Sequence, residues 1–329
     1  MKAYKGFNKD MTCTPNGGKP FQYKEGETYE EPEEDLCAKG FHACLDPLDC
    51  LNYYNICDSV YREVELDDVS DQRKKNDTKV CGRKIKIGAR LNLKDMIKTS
   101  VDFVMESCKK EGTKSSGDSA KLASSGNYAQ LASSGNYAKL ASSGNYAKLA
   151  SSGDSAQLAS SGDSAKLVSS GDSAKLASSG DSAQLASSGD SAKLASSGNY
   201  AKLVSSGDSA QLASSGNYAK LASSGDSAQL ASSGDSAQLA SSGDSAQLAS
   251  SGNYAQLASS GKDSVVMSAG INGKVKATVG NWIAIAEWKM KDSHFFPVGI
   301  VTAKVDGEKI KADTWYKCKD GQLVEAEEE

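Results

Sequence analysis

The chain has 329 residues, with 38 basic and 42 acidic side chains and a formal charge of −4. That near balance excludes a dedicated nucleic-acid binder, which is normally basic, and no stretch approaches the roughly 18 apolar residues of a membrane span. The opening MKAYKGFNKD turns polar at once and lacks the apolar core of a signal peptide, so the expectation is a soluble cytoplasmic protein with no membrane partner.

Residues 1–112 read as an α+β head. Val60–Leu66 and Lys79–Leu91 alternate as strands do. Asp46-Pro47 before Leu48–Tyr54 is a helix start. Leu93, Met96, Ile97, Val101, Val104 and Cys108 recur at helical spacing and predict an amphipathic helix with a core-facing stripe. Seven of the eight cysteines lie in this region, at Cys13, Cys37, Cys44, Cys50, Cys57, Cys81 and Cys108; the eighth is Cys318. With no CxxC pair and no secretion signal, reduced and mostly buried thiols are expected, without a metal.

From Ser115 to Ala258 one nine-residue unit recurs sixteen times without insertion. Its form is Ser-Ser-Gly-(Asp/Asn)-(Ser/Tyr)-Ala-(Lys/Gln)-Leu-(Ala/Val). A degenerate copy follows at Gly261, and the pattern fades after Gly270. Paired-helix repeats need roughly 33–47 residues, and two serines and a glycine per unit argue against one continuous helix. Disorder is the competing reading for so small and polar a unit. Ala and Leu never change at the sixth and eighth positions, a constancy that a linker has no need of.

The pattern predicts a mainly β chain with a short-coil parallel β-solenoid over 113–270. Positions five to nine form the strand, and Ser-Ser-Gly-(Asp/Asn) turns the corner with glycine supplying positive φ. Ala and Leu point inward; Ser/Tyr and Lys/Gln point outward. Two units, 18 residues, make one flattened coil; a triangular coil of three units is the alternative. Sixteen units then give eight coils, a rod of roughly 38 Å at about 4.8 Å per strand.

With two units per coil, odd and even copies lie on opposite faces, one aromatic and one acidic. Asp always precedes Ser and Asn always precedes Tyr. Tyr128, Tyr146, Tyr200, Tyr218 and Tyr254 then share an aromatic side, with Tyr137 opposite. The other side carries an acidic ladder of Asp118, Asp154, Asp172, Asp190, Asp208, Asp226 and Asp244. These two columns are the expected interaction surfaces, and self-association into a homo-oligomer is expected to bury the aromatic one.

Residues 271–329 read as a C-terminal β cap, since an open solenoid end needs covering. Asn281–Lys289 predicts a strand. Asp306-Gly307 between Val301–Val305 and Glu308–Lys311 predicts a hairpin, and Asp320-Gly321 between Tyr316–Lys319 and Gln322–Glu325 predicts another. Trp282, Trp288 and Trp315 supply bulk, and Glu-Ala-Glu-Glu-Glu ends the chain as an acidic tail.

Three stretches carry a family likeness. The head has Tyr4-Lys-Gly-Phe7, Phe21-Gln-Tyr23 with Gly26 and Tyr29, and Gly40-Phe-His-Ala-Cys44. The middle has Gly-containing short repeats. The tail has Gly280-Asn-Trp282, Ala286-Glu-Trp288 and Asp313-Thr-Trp-Tyr316. On these the chain resembles an uncharacterised family of phages and prophages. The resemblance brings no established activity. It implies a phage context, where accessory proteins act on host defences or decorate the particle, and hence the host cytoplasm. The repeats are also similar to those of trimeric adhesin heads, which supports the fold alone.

The chemistry points away from an enzyme. Only His42 and His294 are present, so no Ser-His-Asp arrangement can be argued, and no catalytic residue is assigned. His42 and Cys44, at i and i+2, are the usual spacing of structural strand residues. The competing enzymatic reading is a head that resembles an ADP-ribosyltransferase fold, through the Tyr-Lys-Gly start, the Gly-Phe-His strand and a later strand with Glu63 and Glu65. One Gly per unit, with Asn for Asp in six copies, departs from calcium β-rolls, so neither metal nor cofactor is expected. The ten Asp and eight Lys of the repeat leave a net −2, which blunts an acidic DNA-mimic reading. The reading reached is a non-enzymatic, phage-type scaffold that binds itself and a host protein, with a virion or surface fibre component as the other structural class.

Overall fold

The computed structural model describes the chain except residues 15–18, 33–38, 72–77, 112 and 327–329. Cys37 and the end of the acidic tail lie outside the described residues, as does the Cys108 side chain. The chain divides into two compact units, Met1–Phe103 and Val104–Glu329.

The first unit is built on β1 (Lys2–Asn8), β2 (Thr12–Cys13), β3 (Phe21–Gln22), β4 (Thr28–Glu30), β5 (Phe41–Cys44), β6 (Ser59–Val69) and β7 (Lys79–Leu91). β1 pairs with β5 and β6, and β7 pairs with both as well, so four antiparallel strands close on themselves. Closure removes the exposed edges of a small sheet. β4 joins β7 beyond β5, through Thr28↔Lys86 to Glu30↔Lys84. Inside sit Ala3, Phe7, Val64, Leu66, Val80, Ile85 and Ile87, all fully buried. Phe7, Phe21, Tyr23, Tyr29 and Phe41 meet edge to face, with centroids 4.8–6.5 Å apart, the arrangement that ring quadrupoles favour.

Both head strands read from alternation are present. The helix expected after Asp46-Pro47 is a 3₁₀ segment, Pro47–Asn52, with Asp46 accepting from the Leu48 N–H. The amphipathic helix is α1 (Leu93–Glu111), with Met96, Ile97 and Val104 buried.

The second unit is a two-sheet parallel β-solenoid. Strands of four residues recur every nine, and each pairs in register with the strand 18 residues on, as in Leu140↔Leu158 and Leu149↔Leu167. Copies therefore separate by parity: strands of odd copies stack in one sheet and strands of even copies in the other. Each sheet holds ten parallel strands, a stack of about 43 Å at 4.8 Å per step. The stack outlasts the regular repeat, since Val265–Ser268 and Lys274–Ala277 continue it and Trp282 pairs with Val265. Position-six Ala and position-eight Leu fill the interior at 0–1% exposure through most of the stack.

Two details of the unit differ from expectation. The strand spans positions seven to nine and the first Ser of the next copy, so position five lies in the corner rather than on the strand. Positive φ falls on that position, +55° to +60° at every Ser or Tyr there, and on no repeat glycine. The glycine answers a different need. A Cβ on Gly189 would stand 2.1 Å from the Gly171 carbonyl oxygen, so only a bare Cα lets successive corners stack.

At the C-terminal end, Trp282–Lys291 and His294–Lys304 form a long antiparallel hairpin on the odd sheet. Tyr316–Lys319 and Gln322–Glu325 form another on the even sheet, turned at Asp320 and Gly321, both at positive φ. The hairpin expected around Asp306-Gly307 is absent, and Glu308–Lys311 is not a strand. The Asp306 carboxylate accepts from the N–H groups of Glu308 and Ile310, and the Gly307 N–H donates to the Ile310 carbonyl. The chain thus curls into a tight loop after Val305.

Candidate interaction surface

The corner chemistry explains which positions of the repeat are fixed. Each position-four N–H donates to the Asp or Asn Oδ1 of the corner 18 residues before, as Asp190 does to Asp172 at 2.9 Å and Asn145 to Asn127 at 2.9 Å. Each position-five N–H donates to the position-four carbonyl one coil on, as Tyr200 does to Asn217 at 2.8 Å. In part of the units the glycine N–H donates to the first Ser, as Gly198 does to Ser196 Oγ at 3.3 Å, whereas the buried Oγ of Ser169, Ser187 and Ser205 makes no hydrogen bond. The position-four and position-five donors are thus satisfied by a ladder running along the stack. Asp and Asn exchange freely because both offer Oδ1; only Asp adds charge.

The sequence-predicted columns lie on the two edges of the solenoid, at its corners, rather than on its sheet faces. On the even edge, Tyr128 and Tyr146 stack with centroids 5.0 Å apart and planes 8° apart, and Tyr200 and Tyr218 stack at 5.1 Å and 6°. Tyr254 holds the same corner position without a Tyr neighbour at Ser236. Tyr128, Tyr200, Tyr218 and Tyr254 are exposed by 52–61%, and Tyr146 is half-buried. Tyr137 stands on the odd edge, 62% exposed. Asp118, Asp154, Asp172, Asp190, Asp208, Asp226 and Asp244 occupy the odd edge. From Asp154 to Asp244 no Asn interrupts them, and each lends Oδ1 to the next corner at 2.8–2.9 Å up to Asp244.

Sequence reasoning missed two features. The outward residues of the sheets are not equivalent. Ala141 and Ala159 of odd strands are exposed, whereas Ala150, Val168, Ala186 and Val204 of even strands are at most 2% exposed. Lys202 and Gln184 on the even sheet are buried too, against the expected outward exposure of position seven. The signal was available: the two Val at position nine, Val168 and Val204, both fall in even copies. On the odd sheet, the Ala residues and the serines that follow them line an open groove of about 1520 Å³ along the stack.

The second missed feature is the strand His294–Lys304. Phe295, Phe296, Val298 and Ile300 are 37–57% exposed, and Met290 on the paired strand is 62% exposed. Apolar groups occupy consecutive positions, so both faces of the hairpin are apolar.

In the head, His42 is half-buried on β5 opposite Cys81, and Cys44 is buried opposite Lys79. Glu63 pairs with Lys2 at 2.8 Å, and Glu65 lies 3.9 Å from Lys86; both are cross-strand ion pairs of the barrel wall. Among the cysteines whose side chains are described, Cys13, Cys44, Cys50, Cys57, Cys81 and Cys318, none forms a disulfide. Among the described residues no three His, Cys, Asp or Glu side chains converge as a metal site, and no helix is long and apolar enough to cross a membrane.

No curated protein and no solved structure matches the chain. The model of a family described as a domain of unknown function, DUF7666, matches residues 1–99, so the head is similar to an uncharacterised domain family.

Proposed function

We propose that the protein is a non-enzymatic, phage-type repeat scaffold, which associates with itself and displays the solenoid edges to a host macromolecule. The observation that carries this reading is the even edge, where Tyr128–Tyr146 and Tyr200–Tyr218 form stacked pairs in a fixed 18-residue register, with Tyr146 half-buried and the other three rings exposed. Tyrosine is enriched at interfaces because one ring gives a large apolar contact and one hydroxyl at low entropic cost. Self-association draws support from the exposed apolar strand at Phe295–Ile300, a patch of the kind that marks an interaction site. A host setting rests on the family resemblance, which brings forward a component of host defence as the class of partner and the host cytoplasm as the compartment.

The test uses the repeat's own alternative residue. Tyr128, Tyr146, Tyr200, Tyr218 and Tyr254 changed together to Ser keep the corner that Ser already occupies elsewhere. The variant should fold as the parent and lose capture of its host partner from infected cells. Light scattering of the parent should give a mass that rises with concentration. A monomer at all concentrations refutes self-association; undiminished capture by the five-Ser variant refutes the aromatic edge as the binding surface.

A further inference from the structure

The head holds a cavity of about 200 Å³, between β1, β5 and the 3₁₀ segment, whose walls include Lys5, Tyr23, Phe41, His42, Tyr54 and Lys79. That is room for roughly six or seven waters at about 30 Å³ each, or for one small organic molecule. Among the described residues its lining contains two lysines and no Asp or Glu.

Lys5 is the telling residue. It is 8% exposed, and its ammonium donates to the His42 carbonyl at 3.0 Å and lies 5.6 and 6.0 Å from the rings of Phe7 and Tyr23. An ammonium has three donors, and Lys5 has no carboxylate partner among the described residues. Burying a charge without a counter-charge is costly. The buried carboxylates of the head serve other groups: Asp46 Oδ1 accepts from Ser100 at 2.6 Å, and Asp49 Oδ2 from Thr78 at 2.8 Å.

The phenols add donors. Tyr23 is 6% exposed, and its hydroxyl makes no hydrogen bond to a described residue. Burial pushes the Tyr23 and Tyr54 phenols well above their ordinary range, so both keep their protons at neutral pH. The Tyr54 ring is locked in place: a Cβ on Gly6 would lie 2.4 Å from it, and its hydroxyl lies 3.1 Å from Cys13 Sγ.

We propose that this cavity binds a small organic carboxylate with a flat apolar body, its carboxylate held by the Lys5 ammonium and the Tyr23 hydroxyl and its body against the aromatic wall. The site is independent of the solenoid edges.

Calorimetric titration of the full chain with benzoate, with benzamide of the same shape but no charge, and with inorganic phosphate tests this. Benzoate should bind saturably and at least tenfold more tightly than either other probe. Lys5→Met should abolish the preference for benzoate over benzamide. Should that variant not fold, Tyr23→Phe, which removes one charge-assisted hydrogen bond, should weaken benzoate about tenfold. No saturable benzoate binding, equal or tighter binding of benzamide or of phosphate, or an unchanged benzoate affinity in Tyr23→Phe would each overturn the proposal.

Discussion

The solenoid and the head solve the same problem, burial of apolar surface by strands, with opposite economies. The solenoid uses one Leu and one Ala per nine residues and closes every coil identically; its interior is a column, and no residue in it is individual. The head uses each residue once. Phe7 and Tyr23 meet at 5.1 Å, Lys5 reaches one carbonyl, and Gly6 faces one ring. Repetition therefore supplies surfaces, the edges and the groove, whereas the irregular barrel supplies a partly open cavity with particular donors. A small change in the solenoid should act through its neighbours up and down the stack; one in the head should act on a single site.

The largest expected effect comes from Gly189→Val. The new side chain meets the Gly171 backbone at 2.1 Å, and a backbone atom cannot swing aside as a side chain can. Overpacking costs typically about 1–3 kcal/mol where a core can adjust, and this corner cannot. The β signal of the repeat in circular dichroism should weaken well below the parent's melting temperature; a parent-like melt would sever the link between glycine and stacking. Leu203→Ala leaves a cavity in the column and should cost about 2–5 kcal/mol by denaturant melting.

The head should be the alkali-sensitive region. Burial raises the phenols of Tyr23, Tyr54 and Tyr61 above the ordinary 10. A group whose folded value is raised gives stability that is complete below the unfolded value and is lost as pH climbs toward the folded one. Head stability should thus be level below about pH 9 and fall above about pH 10, with delayed phenolate absorbance appearing as the barrel opens. Absence of that delayed phase would contradict the buried placement. The smallest effect belongs to Asp172→Asn, which keeps Oδ1 for the Asp190 N–H and should shift stability by less than about 0.5 kcal/mol. A larger loss would show that charge, rather than the ladder, holds the corner.

Legibility in the sequence follows the same division. The 18-residue register, the inward Leu and Ala and the parity of the copies were readable because one apolar residue at constant phase admits few foldings. The corner was misread because glycine has two uses, positive φ and close approach, and composition does not say which applies. Ser and Tyr are poor indicators of left-handed backbone, yet they hold it here with the N–H of each corner tied to the next coil. The buried even sheet was hinted at only by Val168 and Val204. In the tail, Asp306-Gly307 has the composition of a hairpin turn, but two backbone donors onto one carboxylate made a closed loop instead. The head cavity was not legible, because Lys5, Tyr23, His42 and Tyr54 come together only through barrel closure. The Tyr and Asp columns follow from the repeat register, while their place on the edges depends on position five leaving the strand.

The central claim, that two units make one coil, is most directly tested by cysteine pairing along the odd edge. Ser173 and Ser191 are 18 residues apart in adjacent corners, a step of about 4.8 Å, within the usual 4.4–6.8 Å Cα separation of a disulfide. Ser173 and Tyr200, 27 residues apart, fall on opposite edges. Under mild oxidation and peptide mapping, the Ser173→Cys/Ser191→Cys protein should cross-link within one chain and the Ser173→Cys/Tyr200→Cys protein should not. The reverse result would put three units in a coil and contradict the two-sheet solenoid.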